Sequence, residues 1–232
     1  MKNSEQYFEL VQERPGLFAN PRGSVFTILL DQAEISQVET YMQQRLIDHG
    51  ISQAWAREWS QVGIAFRDQY LLLLRDAVRF PDGTVGTYIR FVDPRDGVPG
   101  VIVLPIYQGQ ILLLRHFRHA TRSWHLEIPR GFGWQGLTSE ESASRELEEE
   151  IGATPSRLVS LGQTYPNTGM TSECDELFYA EVESYGNAEA QEAIIEILPT
   201  SLPEFERMLR ENEITDGFTL AAYARAKLKG LL

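Results

Sequence analysis

The chain has 232 residues, 43% of them hydrophobic and 23% charged, the make-up of a globular protein with one substantial core and room for a small additional unit. Its net charge of -12 leaves no basic stripe to neutralise a phosphate backbone, so a nucleic-acid partner is not expected. The single cysteine, Cys174, excludes an internal disulfide and a thiolate metal cage, and it fits a reducing cytoplasm.

The opening segment, MKNSEQYFELVQERPG, has neither a basic stretch followed by an apolar one nor a cleavage site. The longest apolar run, Val101 to Tyr107, is far below the roughly 20 residues of a membrane helix, so a soluble cytoplasmic protein with no membrane partner is expected. Residues 1 to 60 read as an N-terminal extension for packing, dimer formation or specificity. It comprises a short helix, a break at Pro15-Gly16, a strand from Val25 to Leu30, and a helix begun by Asp31 and Glu34 at capping spacing. Ile35, Val38, Met42 and Leu46 give that helix its apolar stripe, and Gly50 stops it.

From residue 61 to 232 the chain reads as the main domain. Strands are expected from Asp68 to Phe80 and from Val85 to Val92 about an Asp82-Gly83 turn. A second hairpin, Val101 to Pro105 and Gln110 to Arg118, turns at Gln108-Gly109, and Trp124 to Ile128 leads into a glycine loop. After an acidic helix come strands at Arg157 to Thr164, Glu176 to Val182 and Ile194 to Leu198. Helices at Leu202 to Arg210 and Thr215 to Lys229 close the chain. Strands flanked by these helices predict an α/β class with a mixed sheet between helical layers.

The acidic helix carries the chemistry. At about 100° per residue, Glu150 falls about 40° from Glu146, Glu149 about 60° to the other side, and Glu148 about 160° away. Ala143, Leu147 and Ile151 mark the opposite, buried face. Thr138 and Glu141 have capping-box spacing, and Gly152 sits where a left-handed cap falls. Like charges at this spacing repel, and either water, on an ordinary solvated acidic face, or a divalent cation compensates the repulsion.

The segment Gly131 to Ala153 resembles the Nudix box: Gly, five residues, Glu, seven residues, Arg-Glu, an aliphatic, any residue, Glu-Glu, any residue, Gly, an aliphatic. Gly131, Arg145, Glu146, Leu147, Glu149, Glu150 and Gly152 match it in register, while Leu137 stands at the first glutamate position. In the family that glutamate braces the box arginine; Glu140 and Glu141 are near enough in sequence to substitute. A wider likeness, through His116-Phe117-Arg118-His119, Trp124 to Gly131, Pro166 to Glu173 and Glu213 to Gly217, is to the ADP-ribose pyrophosphatase branch.

The resemblance implies a Nudix α/β/α sandwich and a hydrolase that uses Mg2+ or Mn2+. The metal would be held by Glu146, Glu149, Glu150 and the main-chain carbonyl of Arg130, with Arg118, Glu127 and Glu173 positioning substrate. It implies a catalytic carboxylate, Glu149 among the box residues and a base in the loop from Ser184 to Ala193, where Glu192 is preferred to Glu189. It further implies a nucleotide-sugar substrate, with ADP-ribose giving AMP and ribose 5-phosphate, and a homodimer. The alternatives are a hydrolase of another sugar nucleotide such as GDP-mannose, or a catalytically weak ligand-binding Nudix protein. His116, His119 and His125 lack zinc-site spacing and are expected in core or surface roles.

Overall fold

The computed structural model describes residues 2–93, 98–187 and 193–232. The chain forms two compact units, residues 1–96 with 167–172, and residues 97–166 with 173–232.

The first unit begins with helix α1 (Lys2–Glu13) and a 3-10 turn (Pro15–Phe18), followed by strand β1 (Thr27–Ile28) and helices α2 (Gln32–Asp48) and α3 (Gln53–Ser60). Strands β2 (Gly63–Arg67), β3 (Leu72–Arg79) and β4 (Val85–Val92) complete it as an antiparallel four-stranded sheet centred on β3. Asp31 caps α2 by accepting from the amides of Ala33 and Glu34, as its spacing predicts. The unit has its own core, in which Tyr7, Leu10 and Phe18 meet Ile35, Val38, Leu72 and Leu74. Strands β2 to β4 close the core begun by α1 and α2.

Three local expectations change. The strand Val25 to Leu30 shrinks to Thr27–Ile28, since the Asn20 side chain bonds both the amide and the carbonyl of Ile28 and only two residues pair with β3. Asp68 to Phe80 is not one strand: the Asp68 carboxylate accepts from the amides of Tyr70 and Leu71, forming a turn between β2 and β3. Helix α3 was not signalled, because it buries only Ala56 and Ser60 and leaves Trp55 and Trp59 exposed.

The second unit is a seven-stranded mixed sheet. Its elements are β5 (Val101–Tyr107), β6 (Gln110–Arg118), β7 (Ser123–Glu127), β8 (Arg130–Gly131), helix α4 (Ser139–Ile151), β9 (Pro155–Thr164), β10 (Asp175–Val182), β11 (Ile194–Ser201), and helices α5 (Leu202–Arg210) and α6 (Gly217–Leu228). The strand order β11-β6-β5-β10-β9 includes one parallel pair, β5 with β10. Alternation sets the layers. Val101, Val103, Leu112, Leu114, Phe178 and Ala180 face α4 through Ala143, Leu147 and Ile151. Ile102, Leu104, Leu113, Leu177 and Tyr179 face α5 and α6 through Phe205, Ala222 and Ala226. This is the expected α/β/α sandwich. Among the described residues no helix is long and apolar enough to cross a membrane.

One feature of the sheet positions the site. Strands β5 and β6 pair only beside their turn, at Ile106↔Ile111 and Tyr107↔Gln110, where Gln108 and Gly109 both take positive φ. Beyond that they part: β7 lines β6, β8 lines β5, and the Val103 amide donates to the Pro129 carbonyl at 2.9 Å. Glu127, at the end of β7, and Arg130, at the start of β8, thus lie where the sheet forks.

Candidate active site

Helix α4 delivers its carboxylates to the β8 side of this fork. Thr138 and Glu141 form the full capping box, and Gly152 ends the helix in the left-handed conformation at φ 62°. Glu146 and Glu150 are buried, at 8% and 2% exposure. The Glu150 Oε2 accepts from the Arg130 amide at 3.1 Å. The Glu146 carboxylate lies against Gly131, so closely that a Cβ on that residue would meet both its oxygens. Two buried carboxylates therefore converge on the two-residue strand of Arg130 and Gly131, to which the family resemblance pointed.

Glu149 does not join them. Its Oε1 accepts from Arg145 Nε at 2.7 Å, on the solvent side of the helix. The wheel angles placed its Cα direction correctly, but a long side chain follows the nearest cation. Among the described residues no three His, Cys, Asp or Glu side chains are gathered into a metal-binding set. Glu146 and Glu150, buried oxygen donors against Arg130 and Gly131, nevertheless fit a hard divalent cation in donor chemistry.

The second part of the site is built around Glu127, which is 1% exposed. Its Oε1 lies 2.9 Å from His116 Nδ1 and 2.5 Å from an Arg118 terminal nitrogen, and neither approach has hydrogen-bond alignment. Its Oε2 accepts from Arg130 at 3.2 Å. Burial pushes the Glu127 carboxyl up, but His116, Arg130 and Arg118 together outweigh it and hold the carboxyl below the usual carboxylate range. The Arg118 and Arg130 side chains are 29% and 22% exposed, so the network pairs one deeply buried anion with two partly accessible cations of the kind that meets a phosphate.

Sequence reasoning missed who holds Arg130. Its other terminal nitrogen donates to Asp216 Oδ1 at 2.9 Å, and its guanidinium lies over the Phe218 ring at 5.0 Å. Asp216 Oδ2 caps α6 by accepting from the Thr219 amide and hydroxyl, and Thr219 Oγ1 accepts from the Ile128 amide at 3.2 Å. The Asp-x-x-Thr spacing was a visible capping signal; that it also clamps residues 128–130 was not.

The remaining expected site residues are more dispersed. Glu173 is exposed, in the segment before β10. Glu189 and Glu192 lie outside the described residues. Leu137 is 40% exposed, and neither Glu140 nor Glu141 braces Arg145: Glu141 is spent on the capping box, and the Arg145 guanidinium instead lies 3.7 Å from the ring centroid of Trp134. His116 has the expected core position, while His119 and His125 bond Arg122 and Thr121 locally.

Comparison with known proteins agrees with this fold. A family model described as the NUDIX domain matches residues 97–217. The ADP-ribose pyrophosphatase of Bacillus subtilis (strain 168) is 28% identical over 128 residues, covering 54% of this chain and 69% of that protein. A solved structure described as that of an ADP compounds hydrolase shares the fold with a TM-score of 0.64 at 21% identity, covering 74% of this chain and 93% of its own. The chain belongs to the NUDIX family. The class of enzyme expected from the sequence, a Nudix hydrolase with its likeness to the ADP-ribose pyrophosphatase branch, stands.

Proposed function

We propose that this chain hydrolyses the pyrophosphate bond of a nucleoside diphosphate derivative with Mg2+ or Mn2+, taking ADP-ribose to AMP and ribose 5-phosphate. The observation that carries this reading is the convergence of buried Glu146 and Glu150 on Arg130 and Gly131. The Bacillus relative's activity supports the choice of ADP-ribose.

In this reading Glu146, Glu150 and the Arg130 carbonyl would hold the metal, with Glu149 completing the set from the position that Arg145 gives it. A bound divalent cation offsets pyrophosphate charge and lowers the pKa of the attacking water. Arg118 and Arg130 would draw the substrate phosphates towards the fork, with Glu127 fixing both guanidinium groups in place. Glu173 would contact substrate from its exposed segment, and Glu192, in preference to Glu189, would take the proton from water. We assign residues 1–60 to an extension that packs, dimerises or tunes specificity, and we place the protein in the cytoplasm as a homodimer, as its family resemblance implies.

The test is phosphate-product release from ADP-ribose, GDP-mannose, UDP-glucose, NADH and coenzyme A, each with Mg2+ and with chelator. Metal-dependent cleavage of ADP-ribose ahead of the others is the expected result. Preference for another compound would replace the substrate, and binding without cleavage of any would overturn the hydrolase reading.

A further inference from the structure

The last turn of α4 carries Glu148, Glu149 and Glu150 and no basic residue. Helix-dipole and like-charge effects both disfavour that arrangement. Arg145, the helix's sole basic residue, is the side chain that offsets it. Yet the Arg145–Glu149 pair is exposed, 44% on each side, and runs in the weaker order, with the cation N-terminal to the anion. A pair of this kind contributes little by itself and does not hold one geometry against solvent.

Trp134 supplies what the ion pair lacks. Its ring covers the guanidinium at 3.7 Å, a stacking contact that favours Arg and restricts its planar group to one orientation. Trp134 is itself tied down: its amide donates to the buried Ser142 Oγ at 3.3 Å, and its carbonyl accepts from the Leu137 amide at 3.1 Å. The ring is therefore anchored to the first turns of the helix whose arginine it covers. A turn from Trp134 to Leu137 also puts this aromatic beside the position where the box pattern has its first glutamate.

We infer that Trp134 is the positioning residue for Arg145, and through it for Glu149, taking over in this chain the bracing that an acid at position 137 would give. A ring orients the guanidinium without adding a further negative charge to an already acidic helix. The inference rests on the reading of the α4 carboxylates as the metal-holding set, and it separates two aspects of Trp134, its bulk and its π face.

The experiment compares wild type with Trp134→Leu, which keeps apolar bulk, and Trp134→Phe, which keeps a ring. The readouts are the Arg145 Nε–Hε NMR resonance without metal, the Mn2+ dissociation constant by EPR, and kcat and KM with ADP-ribose. The wild-type Hε should show an upfield ring-current shift that Trp134→Leu abolishes and Trp134→Phe keeps. Trp134→Leu should weaken Mn2+ binding and lower kcat by about tenfold each with KM little changed, and Trp134→Phe should stay within about threefold of wild type. Equal Mn2+ affinity in wild type and Trp134→Leu overturns the inference, as does an equal loss in Trp134→Phe. Thermal unfolding of all three guards against misfolding. If wild type cleaves no nucleotide, the hydrolase reading falls, while the resonance and Mn2+ comparisons still decide the role of Trp134.

Discussion

Gly131 lies directly against the carboxylate of Glu146, so that a side chain of even one carbon at position 131 would collide with both oxygens. The glycine is required by this close approach rather than by an unusual backbone angle, since Gly131 is not among the residues at positive φ. Gly131→Ala must displace Glu146 from its buried place between α4 and β8. Overpacking of this sort costs about 1–3 kcal/mol, and the displaced carboxylate should lower Mn2+ affinity by about tenfold or more. Isothermal titration with Mn2+ alongside denaturant unfolding would check both. Unchanged affinity would mean that Glu146 is not a ligand.

Glu150 combines two tasks, since its Oε2 accepts from the Arg130 amide and its charge serves the proposed metal set. Glu150→Gln keeps an amide oxygen to receive the Arg130 N–H but loses the charge. We therefore expect an intact fold with metal-dependent turnover reduced about 100-fold. Circular dichroism and initial rates across a Mg2+ series make the comparison. Near wild-type rate would remove Glu150 from the metal set.

How much of this was legible beforehand depends on the range of the interaction. The capping box at Thr138 and Glu141, the Gly152 stop and the Ala143–Leu147–Ile151 stripe are written within one helix, and the structure has all three. The Gln108-Gly109 hairpin is equally local. The site around Glu127 is different, because it joins His116 and Arg118 on β6, Arg130 on β8 and Asp216 at the start of α6 through pairings that no short window contains. Sequence resemblance pointed to Arg118 and Glu127 separately; the β6–β7 register sets Glu127 opposite Leu114, and the long Arg118 side chain reaches back to it. Glu149 shows the converse limit, since helix geometry fixes where its Cβ points and the Arg145 guanidinium decides where its carboxylate goes.

Glu127 gives a pH prediction with a definite sign. Its folded carboxyl titrates below the ordinary glutamate value of 4.5, so the unfolded chain binds the proton more readily. The stability this contributes is present in full above the unfolded value and is lost as pH falls through the folded one. Glu127→Gln should therefore be less stable than wild type at pH 7, by about 2–3 kcal/mol. That is less than the ~3–5 kcal/mol of a fully buried broken pair, because Arg118 and Arg130 keep some water. The difference should narrow below about pH 4. Urea unfolding at pH 7, 5 and 3.5 tests this, and a gap that widens on acidification would contradict the assignment of Glu127 as the buried anion.

Asp216 separates helix capping from arginine holding, because its two oxygens do different jobs. Oδ2 caps α6 through Thr219, and Oδ1 receives Arg130. Asp216→Asn keeps a capping oxygen and loses the charge facing Arg130, whereas Asp216→Ala loses both. A lost cap costs about 0.5–2 kcal/mol, so Ala should unfold at lower denaturant than Asn by that margin. The two should agree in catalysis, because each leaves Arg130 without its Asp216 anion and lets residues 128–130 shift against the α4 carboxylates. With ADP-ribose as substrate, a rise in KM of about threefold to tenfold shared by both variants is expected. If Asn kept wild-type KM and only Ala raised it, Asp216 would act through the α6 cap rather than through Arg130.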